Sequence, residues 1–368
     1  MVIKRGLDSS LKFFDGEIDN LTHIRVVGVG GGGSNAVNRM IDEELSGVEF
    51  IAVNTDAQAL VRSRASTRLR IGERLTRGLG AGGDHKLGML AADESREDIQ
   101  RVVEGADMIF ITAGMGGGTG TGASPVIAEV AKTLGILTIG IVTKPFKFEG
   151  IHRLQVAEEG VIRLGERTDT IIVIPNERLL GMCTGNVSID SAFKMVDDVL
   201  LQGVEGISGV VTNSGHINLD FNDVKATMTD AGHAWIAVGY GSGENRAVDA
   251  ARAALGNPLF DFSIDGAKRL LFNIAGNDLT LTEVHEAASV IREVADPHAN
   301  VFFGLATEPK MGRDVRLTLI ATGFGDESDF IEGDGEQDES ERESDYGNDE
   351  LSGVRLEDKW RSLFSRIK

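Results

Sequence analysis

One loop constrains this chain more than any other stretch. Gly114-Met115-Gly116-Gly117-Gly118-Thr119-Gly120-Thr121-Gly122 places six glycines in nine positions between the apolar run Met108 to Ile111 and an Ala/Val-rich segment of helical periodicity. Backbone without Cβ atoms can take φ > 0 and come close to a ligand, and its N–H groups can converge on an anion at the N-terminus of the next helix. Such a loop holds phosphate. A flexible linker is the competing reading, but linkers do not usually join a buried strand to a helix.

A second cluster, Gly28-Val29-Gly30-Gly31-Gly32-Gly33, satisfies G-x-G-x-x-G after the strand-like run His23 to Val29. Asp56 follows at about the twenty-residue distance that a dinucleotide-binding unit requires. Taken alone this turn supports an NAD-dependent oxidoreductase, which leaves the stronger loop at 114–122 unexplained. Two such loops suit a chain of phosphates gripped from two sides. A G-x-x-x-x-G-K-[ST] loop is absent and neither glycine cluster contains lysine. Phosphate charge is therefore left to backbone N–H groups, helix N-termini and a bound cation.

Hydrophobic periodicity predicts an α/β chain. Strands are expected at 23–29, 50–53, 107–112, 137–143 and 170–174, with helices at 34–45, about 85–104, 123–134 and 150–165, an alternation that implies a mostly parallel sheet. The glycine-broken loop Arg77 to Gly83, like the two clusters, falls where the carboxyl ends of such strands place a ligand. Residues 188–212 read as one long helix, apolar at Ile189, Phe193, Val196, Leu200 and Val204. Beyond it, strands at 234–240, 269–275, 301–306 and 315–322 and helices at 244–255 and 282–293 predict a smaller second α/β domain.

The 368 residues and 41% hydrophobic content allow roughly two domains with substantial cores. No run approaches the eighteen or so apolar residues of a membrane span, the N-terminus lacks a signal-peptide core, and the single cysteine, Cys183, fits a reducing compartment. Net charge is −20 and unevenly spread: residues 326–350 hold thirteen Asp/Glu against Arg342 alone, whereas residues 351–368 carry a net +3. An acidic body argues against a nucleic-acid partner. The stretch 326–350 is too polar to bury a core and is expected to be disordered. In the last segment Leu356, Trp360, Leu363, Phe364 and Ile367 share a helical face apart from Lys359, Arg361, Arg366 and Lys368, as in a helix that docks on a partner or a membrane surface. A helix packed on its own domain is the alternative.

These motifs resemble those of FtsZ, the tubulin-like cell-division GTPase family. Gly116 to Gly122 is the signature GGGTGTG without a change; Gly30 to Ala36 resembles the first nucleotide loop, Asn54-Thr55-Asp56 the second, and Gly78-Leu79-Gly80-Ala81-Gly82-Gly83 the loop near the γ-phosphate. The resemblance extends over about residues 22–323. It implies a tubulin/FtsZ-like fold: a Rossmann-like, parallel-sheet GTPase domain, a long central helix and a smaller α/β C-terminal domain. The segments it implies are an N-terminal extension (1–21), a GTP-binding domain (22–187), the central helix (188–214), a C-terminal domain (215–325), an acidic linker (326–350) and a partner-binding peptide (351–368).

Position by position, the resemblance implies that Gly31, Gly32, Gly33, Ser34, Asn35, Asn54, Gly82, Gly118, Thr119 and Gly120 bind GTP. It sets Glu149 and Arg153 around the ribose and phosphates, and Asn176, Phe193 and Asp197 around the base. A carboxylate at 197 accepts from the N1–H and N2–H₂ of guanine, donors that adenine lacks, and a Phe ring can stack on the base. Asn218, Asp220 and Asp223 would act on the nucleotide of the next subunit, so that polymerisation completes each site. Locally, Asp220 and Asp223 read equally well as a helix cap. The accompanying species are GTP and GDP as substrate and product, Mg²⁺ and a monovalent cation, with no residue assigned as a metal ligand. The implied partners are further copies of the chain, head to tail, and a division adaptor or membrane tether bound through 351–368, at the cytoplasmic face of the division site. Many bacterial members end in a peptide containing Ile-Pro; here Asp358 to Lys368 contains no proline. A non-hydrolysing GTP-binding scaffold and the oxidoreductase remain as alternatives.

Overall fold

The computed structural model describes residues 22–181, 187–212, 215–217, 219–257, 264 and 266–324. β1 (Ile24–Val29) runs into α1 (Gly30–Asp42), β2 (Glu49–Asn54) into α2 (Ala57–Arg62), and the short β3 (Thr67–Arg70) into α3 (Glu73–Thr76), α4 (His85–Glu94) and α5 (Arg96–Val103). β4 (Met108–Gly114), α6 (Thr119–Thr133), β5 (Leu137–Lys144), α7 (Ile151–Gly165), β6 (Thr170–Pro175) and α8 (Asn176–Gly181) complete the first half. α9 (Ile189–Thr212) leads to β7 (Gly215–Ile217), α10 (Phe221–Met228), β8 (Gly232–Gly241), α11 (Arg246–Leu255), β9 (Arg269–Gly276), α12 (Leu281–Val294), β10 (Asn300–Thr307) and β11 (Val315–Thr322).

The strands follow the order β3-β2-β1-β4-β5-β6-β8-β11-β9-β10-β7. From β3 to β6 all are parallel. The seam to the second half is short: β6 meets β8 only at Thr170↔Gly232 and Ile171↔His233. Beyond it β11 lies antiparallel between β8 and β9, β10 runs parallel to β9, and β7 closes the edge antiparallel to β10.

A parallel sheet must be covered on both faces, and the side-chain alternation of its strands shows this. Ile24 and Val26 of β1, Met108 and Phe110 of β4, and Ile139 and Ile141 of β5 face α1, α9 and α10, whereas Val27, Val29, Ile109, Ile111 and Val142 face α4 to α7. The first of these cores continues under the second half through Ile236, Leu271 and Ile320, packed with Val199, Leu200 and Val204 of α9. A third core lies on the other face of the second half, beneath α11 and α12.

Two helices differ from the sequence expectation. α1 begins at Gly30 rather than Ser34, so the glycines expected to form a tight turn are its first turn. The helix expected over about 85–104 is broken at Ser95, whose backbone leaves the helical region (φ −109°, ψ 18°) while its hydroxyl accepts from the Gly72 N–H at 3.0 Å.

Candidate functional site

The carboxyl ends of β1, β2, β4 and β5 converge on one edge of the sheet. The loops after β2 and β4 are tied together, the hydroxyls of Thr55 and Thr119 lying 2.6 Å apart, and the β4 loop is closed on itself by the Gly116 N–H donating to Thr121 Oγ1 at 2.9 Å. Gly116 must be glycine, since its φ is +91° and a Cβ there would lie 2.6 Å from the Arg153 carbonyl oxygen. α4 is held against α6 by the same device. A Cβ on Gly122 would lie 2.1 Å from the His85 carbonyl oxygen, and one on Gly88 2.2 Å from that of Gly118.

Between these loops and the start of α7 opens a cleft of about 850 Å³, lined by Gly82 to Lys86, Gly116 to Gly118, His152, Arg153 and Val156. Its charged lining is cationic apart from Asp84, which caps α4 by accepting from the Lys86 N–H (2.8 Å) and the Leu87 N–H (3.2 Å). His85 Nε2 is buried without a hydrogen bond, 3.8 Å from Glu159. Two glycine loops, two helix N-termini and an excess of cationic groups make a site for a polyanion.

Glu149 links this cleft to an aromatic group on the neighbouring elements. Its carboxylate accepts from the Phe146 N–H at 2.9 Å and pairs with Arg153 at 2.7 Å. Phe146 stacks on Phe148 (5.0 Å between centroids) and meets Phe193 edge-on (5.6 Å). Phe193 is 42% exposed, so its ring is not core, and Asp197 lies one turn further along α9. At the start of α8, Asn176 is 4% exposed and its Oδ1 has no hydrogen-bond partner. A buried, unsatisfied amide on α8 and a half-exposed ring on α9 are groups of the kind that a planar, hydrogen-bonding ligand uses.

Asp197 sits where charge is disfavoured. Burial, followed by the adjacent Asp198 carboxylate, pushes its pKa up to about 7 against the pull of Arg39. Arg39, one turn past Asn35 on α1, bonds Asp198 at 2.5 Å and Glu43 at 2.9 Å. Burial raises Asp198 as well, opposed by its bond to Arg39.

The structure thus gathers most of the expected residues at one sheet edge. Gly31, Gly32, Gly33, Ser34 and Asn35 form the first turns of α1, Gly118 to Gly120 open α6, Asn54 ends β2 and Gly82 lines the cleft. Ser34 is turned inward, its hydroxyl donating to the Gly30 carbonyl at 2.7 Å. Asp56, the acid that a dinucleotide site would need for its ribose, instead caps α2 by accepting from the Gln58 and Ala59 N–H groups.

Asp220 and Asp223 do not line the cleft. They form a reciprocal cap on α10: the Asp220 N–H donates to Asp223 Oδ2 at 3.1 Å and the Asp223 N–H to Asp220 Oδ1 at 2.9 Å. The far end of α10 is fixed at the amino end of β6, where the Thr170 hydroxyl donates to the Met228 carbonyl. Asn218 lies outside the described residues, as do 1–21 and 325–368. Sequence reasoning missed Lys86, His85 and His152 in the cleft and the Arg39–Asp198 pair. Lys86 stands just past a glycine loop and was within reach of a wider window; a pair 159 positions apart leaves no local signal.

The sequence matches the Tubulin/FtsZ family GTPase domain over residues 23–184 and the FtsZ family C-terminal domain over residues 232–325. The empty FtsZ dimer of M. jannaschii is 44% identical over 82% of this chain and 88% of that one, with a TM-score of 0.78. This chain belongs to the FtsZ family. A mutant form of the M. jannaschii FtsZ is also 44% identical (83% and 92% covered, TM-score 0.79). CetZ2 from Haloferax volcanii, a GTPγS-bound protofilament, shares the fold at 20% identity (82% and 92% covered, TM-score 0.70). The FtsZ fold therefore accounts for both halves, with α9 between the matched segments, and FtsZ membership places the chain among tubulin-like GTPases. Among the described residues no helix is long and apolar enough to cross a membrane, and no three His, Cys, Asp or Glu side chains gather as a metal cage.

Proposed function

We propose that this FtsZ-family chain binds GTP between the cleft and the neighbouring Phe193 and Asp197, polymerises head to tail, and hydrolyses GTP at sites completed by the next subunit. The observation that carries the reading is a separation: the polyanion cleft has no acid besides the capping Asp84, while an aspartate pair stands at the surface outside it. In this reading Gly31 to Ser34, Asn54, Gly82 and Gly118 to Gly120 enclose the phosphates, with Arg153 oriented by Glu149, and Asn35 adds a polar contact to the base. Phe193 stacks on the base, Asp197 accepts from its N1–H and N2–H₂, and Asn176 supplies a further polar contact. Asp220 and Asp223 of the neighbouring subunit, supported by Asn218, orient a water for attack on the γ-phosphorus and accept its proton.

With no all-protein cage among the described residues, a magnesium ion would be held chiefly by phosphate oxygens and water, and it would neutralise charge on the transferring group. An interface that joins different faces of identical subunits without closing produces filaments. Residues 22–187 would be the nucleotide domain, 188–214 the connecting helix and 215–325 the domain that carries the catalytic pair. Residues 326–350 would tether the peptide 351–368 to a division adaptor, placing filaments in the cytoplasm at the division ring.

The test is electron microscopy with parallel phosphate release. Filaments with GTP but not GDP, and specific activity rising with protein concentration, are expected. Constant specific activity across the assembly threshold would overturn the shared site. Filaments without turnover would make the chain a scaffold.

A further inference from the structure

We infer that Arg39 and Asp198 form a specificity device acting through Asp197: Arg39 favours the charged form of that carboxylate, the form suited to the donor edge of guanine, and Asp198 opposes it. The inference rests on reading Phe193 and Asp197 as the base pocket. Geometry carries it. Arg39 Nε meets Asp198 Oδ1 at 2.5 Å, with the two side chains 28% and 10% exposed, so the cation is fixed between α1 and α9 rather than swinging in solvent. Asp197 is the next residue to Asp198 and lies one turn from the exposed Phe193 ring.

An ionised carboxylate accepts from two donors at once, whereas its protonated form presents a donor of its own to the same edge. The state of Asp197 therefore decides whether guanine is recognised. Its value near 7 puts that decision at neutral pH before ligand arrives. Several charged groups sit on the elements packed against α9: Arg39 and Asp42 on α1 with Glu43 just past its end, Glu177 and Arg178 on α8, Lys144 at the end of β5, His233 on β8, and Asp223 and Lys225 on α10. α9 itself brings Asp190, Lys194, Asp198 and Glu205. Of all these, Asp198 and Arg39 act on Asp197, in opposite directions. Glu43 acts on Asp198 and Arg39, and Lys194 on Asp198.

A strut and an electrostatic device predict different things. If the pair only braces α1 against α9, breaking it from either side harms the site alike. If it tunes Asp197, the two sides move the pH dependence oppositely. Loss of the Arg39 charge also leaves Asp198 uncompensated, and loss of the Asp198 charge frees Arg39 to act on Asp197, so each change reinforces its own direction.

GDP affinity of the full chain should be measured by calorimetry from about pH 5.5 to about pH 8.5, with ADP as the base control. The titration of the phosphate, near pH 6, is common to every variant and cancels in the comparison. In Arg39→Met the pH of half-maximal affinity is expected to rise by roughly one unit, about tenfold weaker binding below the midpoint. In Asp198→Asn it is expected to fall. Arg39→Lys, which keeps the charge, should stay near the unsubstituted chain. Asp198→Asn retains an acceptor for Arg39, so its direction decides the matter even if Arg39→Met does not fold. Midpoints that stay put, or move the same way in Arg39→Met and Asp198→Asn, overturn the inference while leaving guanine binding intact. An unsubstituted chain that binds ADP as well as GDP overturns the base pocket itself.

Discussion

Asp197 carries a carboxylate in a place that favours its neutral form, and the cost can be read as stability. Its folded value near 7 stands above the ordinary carboxylate range, so its stabilising contribution is complete below about pH 4 and is lost as pH rises through about 7. Asp197→Asn is therefore expected to stabilise the ligand-free protein above pH 7, by on the order of 2 kcal/mol given partial solvent access, with the gain vanishing toward pH 4. Thermal melts across that range check the sign. The same substitution should weaken GDP by about a hundredfold or more, because a donor pair loses its anion. At this scale the sequence marked the residue types but not their state. The two readings of Asp220 and Asp223, cap and catalyst, coexist in one geometry, since their reciprocal bonds occupy one oxygen of each carboxylate. Asn176 was legible as a polar residue; that its Oδ1 is buried and unsatisfied depends on packing that no window around it contains.

Long, strongly periodic segments were readable as elements. β4, β5, β9 and β11 and the helices α7, α9 and α12 fall within two residues of the expected spans. Short or glycine-rich elements were not. The four glycines opening α1 disfavour a helix by propensity, yet close packing requires two of them: a Cβ on Gly33 would lie 2.3 Å from the Thr112 carbonyl oxygen and one on Gly30 2.8 Å from the Gly120 nitrogen, whereas one on Gly31 would meet nothing within 4 Å. β3 and β7 are edge strands of four and three residues, too short for an alternation to register. Close approach also makes a testable contrast between two glycines of one motif. Gly122→Ala forces α4 away from α6 and should cost about 2 kcal/mol, whereas a Cβ at Gly117 meets nothing within 4 Å and Gly117→Ala should melt near the unsubstituted chain. In the second half, Glu283 caps α12 with Thr280 and binds Arg246 of α11 at 2.7 Å; the Arg246 guanidinium holds its carboxyl at about 2. That depressed value contributes stability above the ordinary carboxylate range and loses it as pH falls toward 2. Glu283→Gln should cost about 2 kcal/mol in urea unfolding at pH 7, and the difference should shrink with acid.

For the whole molecule, the decisive prediction is complementation. Asp223→Ala subunits should bind GTP and assemble yet release phosphate about a hundredfold or more slowly, and Asp197→Ala subunits should fail to bind. Mixed, they form interfaces in which an intact nucleotide site meets an intact aspartate pair, and phosphate release should recover in part. No recovery at any mixing ratio counts against a site shared between subunits. The two α/β halves were legible from the change in strand and helix spacing after residue 212. Their joining was not, because the pairing of 170–171 with 232–233 spans about sixty positions and follows from how α9 packs beneath both halves. In the proposed filament, that narrow seam bears on how load would pass between subunits. With two residues of β6 paired to β8 and a continuous apolar layer beneath, tension between neighbours would be carried by the greasy underside of α9 rather than by backbone ladders. The molecule would then yield by sliding before it tore.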